Sequence, residues 1–294
     1  MGFVIKEYTI KDEKILDFLT KKLHLSLREA KRAIDRGRVS VNGKRITHKA
    51  DKATGILKCI VFEPNGYGLK PIFENSHFAV FDKPSGVAIH PKKLANTKSL
   101  LDDVRLLWGN EANLVHRLDK ETSGLVIASK NKFSEGILKR AFQDKEVKKK
   151  YIALVKGYLD RELTIKKPIA VNKDETIKVK VKIDSGGKES ITIIKPIKKI
   201  NDNTLVECIP LTGRQHQIRV HLFSIGHPIV GDPLYGVDND FADRYLNKQI
   251  TQEERIKKTG AFRLMLHAYY LEFMFMTNKY VITSREFEKE LSGN

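Results

Sequence analysis

The sequence predicts an α+β protein: a small α/β module at the N-terminal end, then a larger domain built on a mixed, mostly antiparallel sheet. Three observations predict it. Residues 1–62 read as strand, two helices, hairpin and strand. Residues 63–71, Glu-Pro-Asn-Gly-Tyr-Gly-Leu-Lys-Pro, read as a linker. Between 163 and 209, strand-like segments follow one another through short turns instead of alternating with helices. The boundaries are therefore 1–62, 63–71 and 72–294, and a chain of 294 residues is long enough for two cores.

In the first module, residues 3–10 read as a strand, and Ile15, Leu16, Leu19 and Leu23 recur at helical spacing over 12–23. Ser26 and Glu29 form a capping box for a second helix that Gly37 closes. Leu27, Ala30 and Ile34 mark its buried side, while Arg28, Lys31, Arg32 and Arg36 fall largely elsewhere, with Arg38 just beyond. Val39–Val41 runs into Asn42-Gly43, a hairpin turn signal, followed by Lys44-Arg45-Ile46 and a strand over Ile56–Phe62.

The second domain starts with a strand, Phe78–Phe81, ending at the turn Asp82-Lys83-Pro84-Ser85-Gly86. His90-Pro91 and Lys92-Lys93 follow, then a helix over Ser99–Leu107. Residues 115–130 are the centre of the domain: a polar half, His116 to Ser123, feeds Gly124 and the apolar run Leu125–Ala128, a loop entering a buried strand. Asp119 lies in that loop between Arg117 and Lys120, cations that favour an ionised carboxylate. A carboxylate there fits a nucleophile or general base, although spacing alone favours a loop Asp in a surface ion pair. Asn131 caps a helix through about Phe142, with Leu138 near its middle. The basic run Lys145–Lys150 leads into a strand, Tyr151–Gly157, where Tyr151 is either a functional aromatic or a core residue. Further strands are Leu163–Ile165, Ile177–Ile183, Ser190–Ile194 and Thr204–Ile209, with a hairpin loop at Asp184–Lys188. Thr212 and Gln215 form a second capping box, and Gly226 and Pro228 stop that helix. Ile218, Leu222 and Ile225 share its buried face, and Gln215 and Arg219 share another side. The charged last ten residues are expected to fray.

Composition narrows the partner. The net charge is +18, and residues 1–62 hold 15 Lys/Arg against 7 Asp/Glu, or +8 of it. Such a charge points to a polyanion. Cys59 and Cys208, without a Cys-x-x-Cys, exclude a disulfide framework and a cysteine zinc site and fit a reducing cytosol. His90 and His116 lack a third ligand at metal spacing, so no metal is expected. No signal-peptide core is seen, Lys6 rules out myristoylation of Gly2, and the apolar stretch Leu271–Met276 is too short for a bilayer. A cytoplasmic protein with no membrane partner is expected.

Residues 115–130 resemble the central motif of the RluA-type pseudouridine synthases: His-Arg-Leu-Asp, two variable residues, Thr-Ser-Gly, then an aliphatic strand ending in Lys. Lys83-Pro84-Ser85-Gly86 with His90-Pro91 resembles the family's first motif, although Lys92 and Lys93 stand where Gly is frequent. The Lys-x-Tyr-x-Ala-x-x-x-Gly pattern ending at Gly157 resembles the next motif. Leu211–Gly236 resembles the third, with Gln215 in place of Thr or Ser, and Leu264–Ala268 resembles a late Leu-His-Ala segment. The first module is similar to the S-four-like RNA-binding domain through Leu16-Asp17-x-Leu19 and Gly37-x-Val39-x-Val41-Asn42-Gly43, with Ile15 and Ile56 as departures.

The resemblance implies isomerisation of uridine to pseudouridine in RNA without a cofactor or metal, because the uracil is both leaving group and nucleophile. It implies Asp119 as the catalytic residue, Tyr151 stacked on the target base and Arg219 paired with Asp119. Asp119 either attacks carbon-1′ or removes a sugar proton, and Tyr151 or a water relocates the carbon-5 proton. His116, Arg117 and Leu266 are expected at the substrate, Leu266 equally in the core, and Arg28, Lys31, Arg32, Arg36 and Lys44 on RNA. The expected target is large-subunit (23S) ribosomal RNA, acted on by a monomer. A transfer RNA target and a catalytically inactive ribosome-assembly factor are the alternatives.

Overall fold

A computed structural model describes residues 3–62, 65–91, 97–172 and 177–292. Part of the linker expected at 63–71, together with Lys92 and Lys93, lies outside the described residues. The molecule divides into two units, residues 1–67 with 90–106, and residues 68–89 with 107–294.

In the first unit, strand β1 (Phe3–Lys14) pairs antiparallel with β4 (Lys52–Phe62). Between them in sequence come α1 (Ile15–Lys21), α2 (Leu27–Asp35), β2 (Val39–Val41) and β3 (Lys44–Arg45), and the sheet order is β1-β4-β2-β3. β1 takes Asp12–Lys14, which the helical spacing assigned to α1. Asp12 sits at φ 48° where the β1–β4 register shifts, and α1 starts at Ile15. The Ser26–Glu29 capping box is formed in both directions. Leu27 is 53% exposed instead of buried, because the side facing the sheet is made by Ala30, Ala33 and Ile34. Asn42 and Gly43 both have positive φ, the backbone that a two-residue turn between twisted strands demands. Arg28, Lys31, Arg32 and Arg36 on and just past α2, and Lys44 on the turn, are all exposed. Residues 90–106 group here through local contacts: the Lys98 ammonium stands 5.7 Å from the Tyr67 ring, and Gly66 leaves no room for a Cβ beside Asp103.

The second unit begins with β5 (Phe73–Glu74) and β6 (Phe78–Lys83); α3 (Leu100–Trp108) follows in sequence, with residues 100–106 belonging to the first unit. Next come β7 (Asn113–Leu114), β8 (Ser123–Ser129), α4 (Lys132–Gln143), β9 (Lys148–Lys156), β10 (Leu163–Lys166), β11 (Ile169–Val171) and β12 (Val181–Ile183). The chain continues through β13 (Ile191–Ile200), β14 (Asn203–Pro210), α5 (Gln217–Phe223), α6 (Asn239–Leu246), α7 (Gln252–Thr259), β15 (Leu266–Phe275), β16 (Asn278–Thr283) and α8 (Glu286–Ser292).

A ten-stranded sheet runs β10-β13-β14-β9-β15-β8-β6-β5, with β16 added to β15 and β7 to β8. Its pairings are antiparallel except β15 with β8, where His267 meets Ser123 and Ala268 meets Gly124. All seven residues of β8 are buried, as its unbroken apolar run requires. One core cluster packs α4 against β6, β8 and β15, through Leu138, Ala141, Leu125, Ile127 and Phe273. A second packs α5 on β9 and β14, through Ile218, Leu222, Ala153, Val155, Val206 and Cys208.

Three local expectations change. Only Val181–Ile183 of the 177–183 segment is strand, since Lys180 N–H closes a turn on the Ile177 carbonyl. Asp184–Lys188 is a turn in which Gly187 N–H bonds the Asp184 carbonyl, but the strands on either side do not pair with each other; Lys188 bridges to Ile169. Residues expected to fray form α8, which buries Phe287 to 1% exposure in the α5 cluster.

Candidate active site

The register of the central strands sets the site. Tyr151 on β9 lies opposite Ala268 on β15, and Ala268 lies opposite Gly124 at the start of β8. Gly124 has φ +113°, and a Cβ there would overlap the Ala268 backbone. That close approach brings the loop carrying Asp119 to the row that holds Tyr151. On the other side of Tyr151, β14 places Cys208 opposite it and then leads through residues 211–216 into α5, which carries Arg219.

The loop at Asp119 is held by its backbone. Lys83 is fully buried, and its ammonium donates to the carbonyls of Pro84, Val87 and Lys120 at 2.9, 3.0 and 3.1 Å. Gly86 N–H donates to the Lys120 carbonyl at 2.9 Å, and the Ser85 hydroxyl to the Glu121 carbonyl at 2.6 Å. The Lys-Pro-Ser-Gly turn is thus a clamp on the two residues after Asp119. Burial pushes the Lys83 pKa down to about 7 against the pull of Glu121, Asp119 and Asp82.

Helix α5 starts later than the sequence pattern indicates. Thr212 and Gln215 do not form the capping box. The Thr212 hydroxyl donates instead to Gln217 Oε1 at 2.7 Å, Arg214 N–H reaches the same oxygen at 3.0 Å, and Gln215 bonds the Val179 carbonyl from outside the helix. His216 stands at the N-cap with φ 51°, a left-handed conformation that a non-glycine residue adopts at some cost.

Arg219 is fully buried, and its strongest partner is Asp232. Nε and Nη2 donate to the two Asp232 oxygens at 2.8 Å each, and Nη1 reaches Asp119 Oδ2 at 3.5 Å. Asp232 Oδ1 also accepts from the N–H groups of Leu234 and Tyr235 at 2.8 and 3.1 Å. Burial works against the Arg219 cation, but Asp232 more than offsets it and raises its pKa above the ordinary value. Burial likewise opposes the Asp232 carboxylate, and Arg219 with the two N–H groups holds it ionised. One guanidinium therefore serves two carboxylates, one locked and one partly exposed. Asp232 was not expected from the sequence. The only local sign is an Asp whose oxygen meets N–H groups two and three residues on.

These groups line a cleft of about 400 Å³. Of the residues expected at the site, Asp119, Tyr151, Arg219, His116, Arg117 and Leu266 all border it. His116 is half-buried, its Nε2 accepts from Ile127 N–H at 3.0 Å, and its ring stacks on Phe142 at 4.4 Å. Burial and then Lys149 push its pKa down to about 3, so it anchors the loop as a neutral ring. His216, also on the cleft, has Nε2 3.8 Å from Asp119 Oδ2 and Nδ1 3.1 Å from the Tyr235 hydroxyl. Burial and Arg219 lower its pKa to about 4. The Tyr151 pKa is raised, by burial first and then by the Asp119 charge, which keeps the phenol neutral. Arg28, Lys31, Arg32, Arg36 and Lys44 are in the other unit and do not line the cleft.

A second cleft of about 1220 Å³ borders the same loop at Lys120 and Glu121. Two ion pairs lie in it, Arg255 with Glu121 at 3.0 Å and Arg263 with Glu290. His267 there bonds Ser123 and Ser284 at 2.9 and 2.8 Å. Among the described residues no cluster of His, Cys, Asp and Glu fits a metal ion, and no helix is long and apolar enough to cross a membrane.

A partly exposed carboxylate, reached by a buried guanidinium in a cleft beside a neutral tyrosine, defines a class of site equipped for acid–base or nucleophilic chemistry. Comparison with known proteins identifies that class. The family model for RNA pseudouridylate synthase matches residues 77–224, and that for the S4 domain matches residues 13–55. A protein of Helicobacter pylori strain J99 called an uncharacterized RNA pseudouridine synthase is 40% identical over 97% of this chain and 96% of its own length. Ribosomal large subunit pseudouridine synthase D of Buchnera aphidicola subsp. Schizaphis graminum is 32% identical over 89% of this chain and 86% of its own. Synthase C of Buchnera aphidicola subsp. Baizongia pistaciae is 37% identical over 69% and 61%. The structure of human RNA pseudouridylate synthase domain containing 1 superposes with a TM-score of 0.60 at 29% identity, covering 75% of this chain and 85% of that one. The chain belongs to the RNA pseudouridylate synthase family, isomerases of uridines in RNA, and carries an S4 domain. Asp232 lies beyond the residues that the family model matches.

Proposed function

We propose that the protein converts uridines of large-subunit ribosomal RNA to pseudouridine in the cytosol, with Asp119 as the reacting carboxylate, Arg219 as its orienting cation and Tyr151 as the face on which the base lies. The observation that carries the site reading is the Asp232–Arg219–Asp119 chain at the cleft, which fixes one carboxylate and leaves another accessible. The ribosomal target is supported by the names of the two Buchnera relatives and by the S4 domain, whose exposed basic residues suit phosphate contacts.

The chemistry needs four steps. The uridine leaves its stack and enters the cleft, at a cost of a few kcal/mol that stacking on Tyr151 offsets. Asp119 then reacts at the sugar, either at carbon-1′ or by taking a sugar proton, and the N-glycosidic bond breaks. The freed uracil turns and rejoins carbon-1′ through carbon-5, displacing the Asp119 carboxylate on the first route or recovering the sugar proton from it on the second. Finally the carbon-5 proton leaves and a ring nitrogen is protonated, so the product is an isomer of the substrate. A neutral phenol at Tyr151 suits stacking and proton donation better than removal of the carbon-5 proton as a phenolate. A water is the better carrier for that last step.

The target is tested by chemical mapping of pseudouridine in RNA from cells with and without the gene. Loss of modification at particular large-subunit uridines, restored by the wild-type gene, is the expected result. Loss confined to transfer RNA would overturn the ribosomal assignment.

A further inference from the structure

Lys149 lines the Asp119 cleft and takes no part in the Asp232–Arg219–Asp119 chain. It precedes Tyr151 by two residues on β9, so the two side chains leave the same face of the strand, about 7 Å apart at the backbone. Its ammonium stands 5.9 Å from the Phe142 ring centroid and beside the loop that leads into α5, where a Cβ added to Gly213 would lie 3.9 Å away. Its neighbours in sequence are paired: Lys148 with Glu272 at 2.9 Å and Lys150 with Glu207 at 3.2 Å. Among the described residues Lys149 has no ion pair or hydrogen bond through its ammonium; it faces the Phe142 ring, and its charge bears on the neutral His116 ring stacked there. Burial lowers its pKa.

A half-buried cation with only neutral rings for company has lost water without gaining an anion, which is costly unless a ligand supplies the charge. RNA brings fixed anions, its phosphates, and an extruded nucleotide carries them within reach of its own base. We propose that Lys149 binds a backbone phosphate of the nucleotide whose base enters the cleft, which makes it a substrate-positioning residue separate from the groups that act on the sugar. The proposal rests on reading the Asp119 cleft as the uridine site. Lys149 anchors the strand at one end of the nucleotide, Tyr151 receives the base, and Asp119 meets the sugar.

The test compares Lys149→Met, which keeps an aliphatic stem against Phe142, with Lys149→Arg, which keeps the charge. The probe is total RNA from cells lacking the gene, assayed for pseudouridine formation across a series of salt concentrations. For Lys149→Met, KM is expected to rise about tenfold to a hundredfold with kcat changed less than about threefold. The slope of log(kcat/KM) against log salt is expected to flatten by about 0.7–0.9, as it does when one fewer phosphate is neutralised. Lys149→Arg should restore both. Lys148→Met, which removes a paired ammonium, should leave kcat unchanged. A fall in kcat at unchanged salt slope would overturn the proposal, as would a raised KM at unchanged slope or no effect. Should Lys149→Met not fold, as read by its thermal melt, Lys149→Gln is read against the same outcomes. Failure of the underlying site reading is distinguishable, because there Asp119→Asn would keep turning over whatever Lys149 does.

Discussion

Asp232→Asn separates the locked half of the Arg219 pair from the reactive half. The amide keeps the shape and can still accept from Leu234 and Tyr235 N–H, but it turns one Arg219 contact of 2.8 Å into a donor facing a donor. Both groups are buried, with side-chain exposures of 2% and 0% for Arg219 and Asp232, so water cannot repair the loss. Breaking a buried pair from one side costs about 3–5 kcal/mol. At about 2–4 °C per kcal/mol for a unit of this size, the melting temperature should fall by about 6–20 °C. The Nη1 reach to Asp119 Oδ2 is already 3.5 Å, and a further shift of about 1 Å at a reacting group costs about a hundredfold in rate. Differential scanning calorimetry and single-turnover pseudouridine formation measure the two effects. Arg219→Met is the companion variant: in its background no buried cation is stranded, so Asp232→Asn should cost much less stability while activity stays lost. A melt within about 2 °C of wild type together with a wild-type rate for Asp232→Asn would refute the reasoning.

Three further outcomes follow from the same geometry. Gly124→Ala forces a Cβ into the Ala268 backbone at φ +113°, so soluble yield or melting temperature should drop sharply, whereas Gly43→Ala, strained by its φ of +79° but with open space around it, should cost less. Replacing Arg28, Arg32 and Arg36 together by Gln should weaken RNA binding in filter or fluorescence titrations and flatten its salt slope by about 0.7–0.9 for each phosphate no longer neutralised. Lys83 has a folded pKa near 7 against an ordinary 10.5, so its stability contribution is fully present above 10.5 and is lost as pH falls towards 7. The wild-type advantage over Lys83→Met in denaturant melts should therefore grow as pH rises from 7 to 9.

What the sequence displayed was local. The capping box at Ser26, the turn at Asn42-Gly43 and the cap at Asn131 each need only neighbours within four residues, and all are formed. The buried β8 strand and the loop before it were visible because an apolar run of that length has few other uses. What escaped depends on partners far along the chain. Thr212 chose Gln217 over Gln215 because Val179, over thirty residues away in sequence, holds the Gln215 amide. Leu27 occupies a position on the α2 wheel that looks apolar, but Ala33 supplies the contact surface. The charged end of the chain folds as α8 because Phe287 finds the core cluster around β9 and α5. The Asp119–Arg219 encounter was expected only through family likeness, and Asp232 was missed because nothing near it in sequence announces a guanidinium.

The most direct measurement is tritium release from carbon-5-labelled RNA by Asp119→Asn, alongside its RNA affinity. The site reading predicts no release above background, while the dissociation constant for the same RNA stays within a few-fold of wild type. Release at the wild-type rate would contradict it, and the reacting group would have to be sought elsewhere in the molecule.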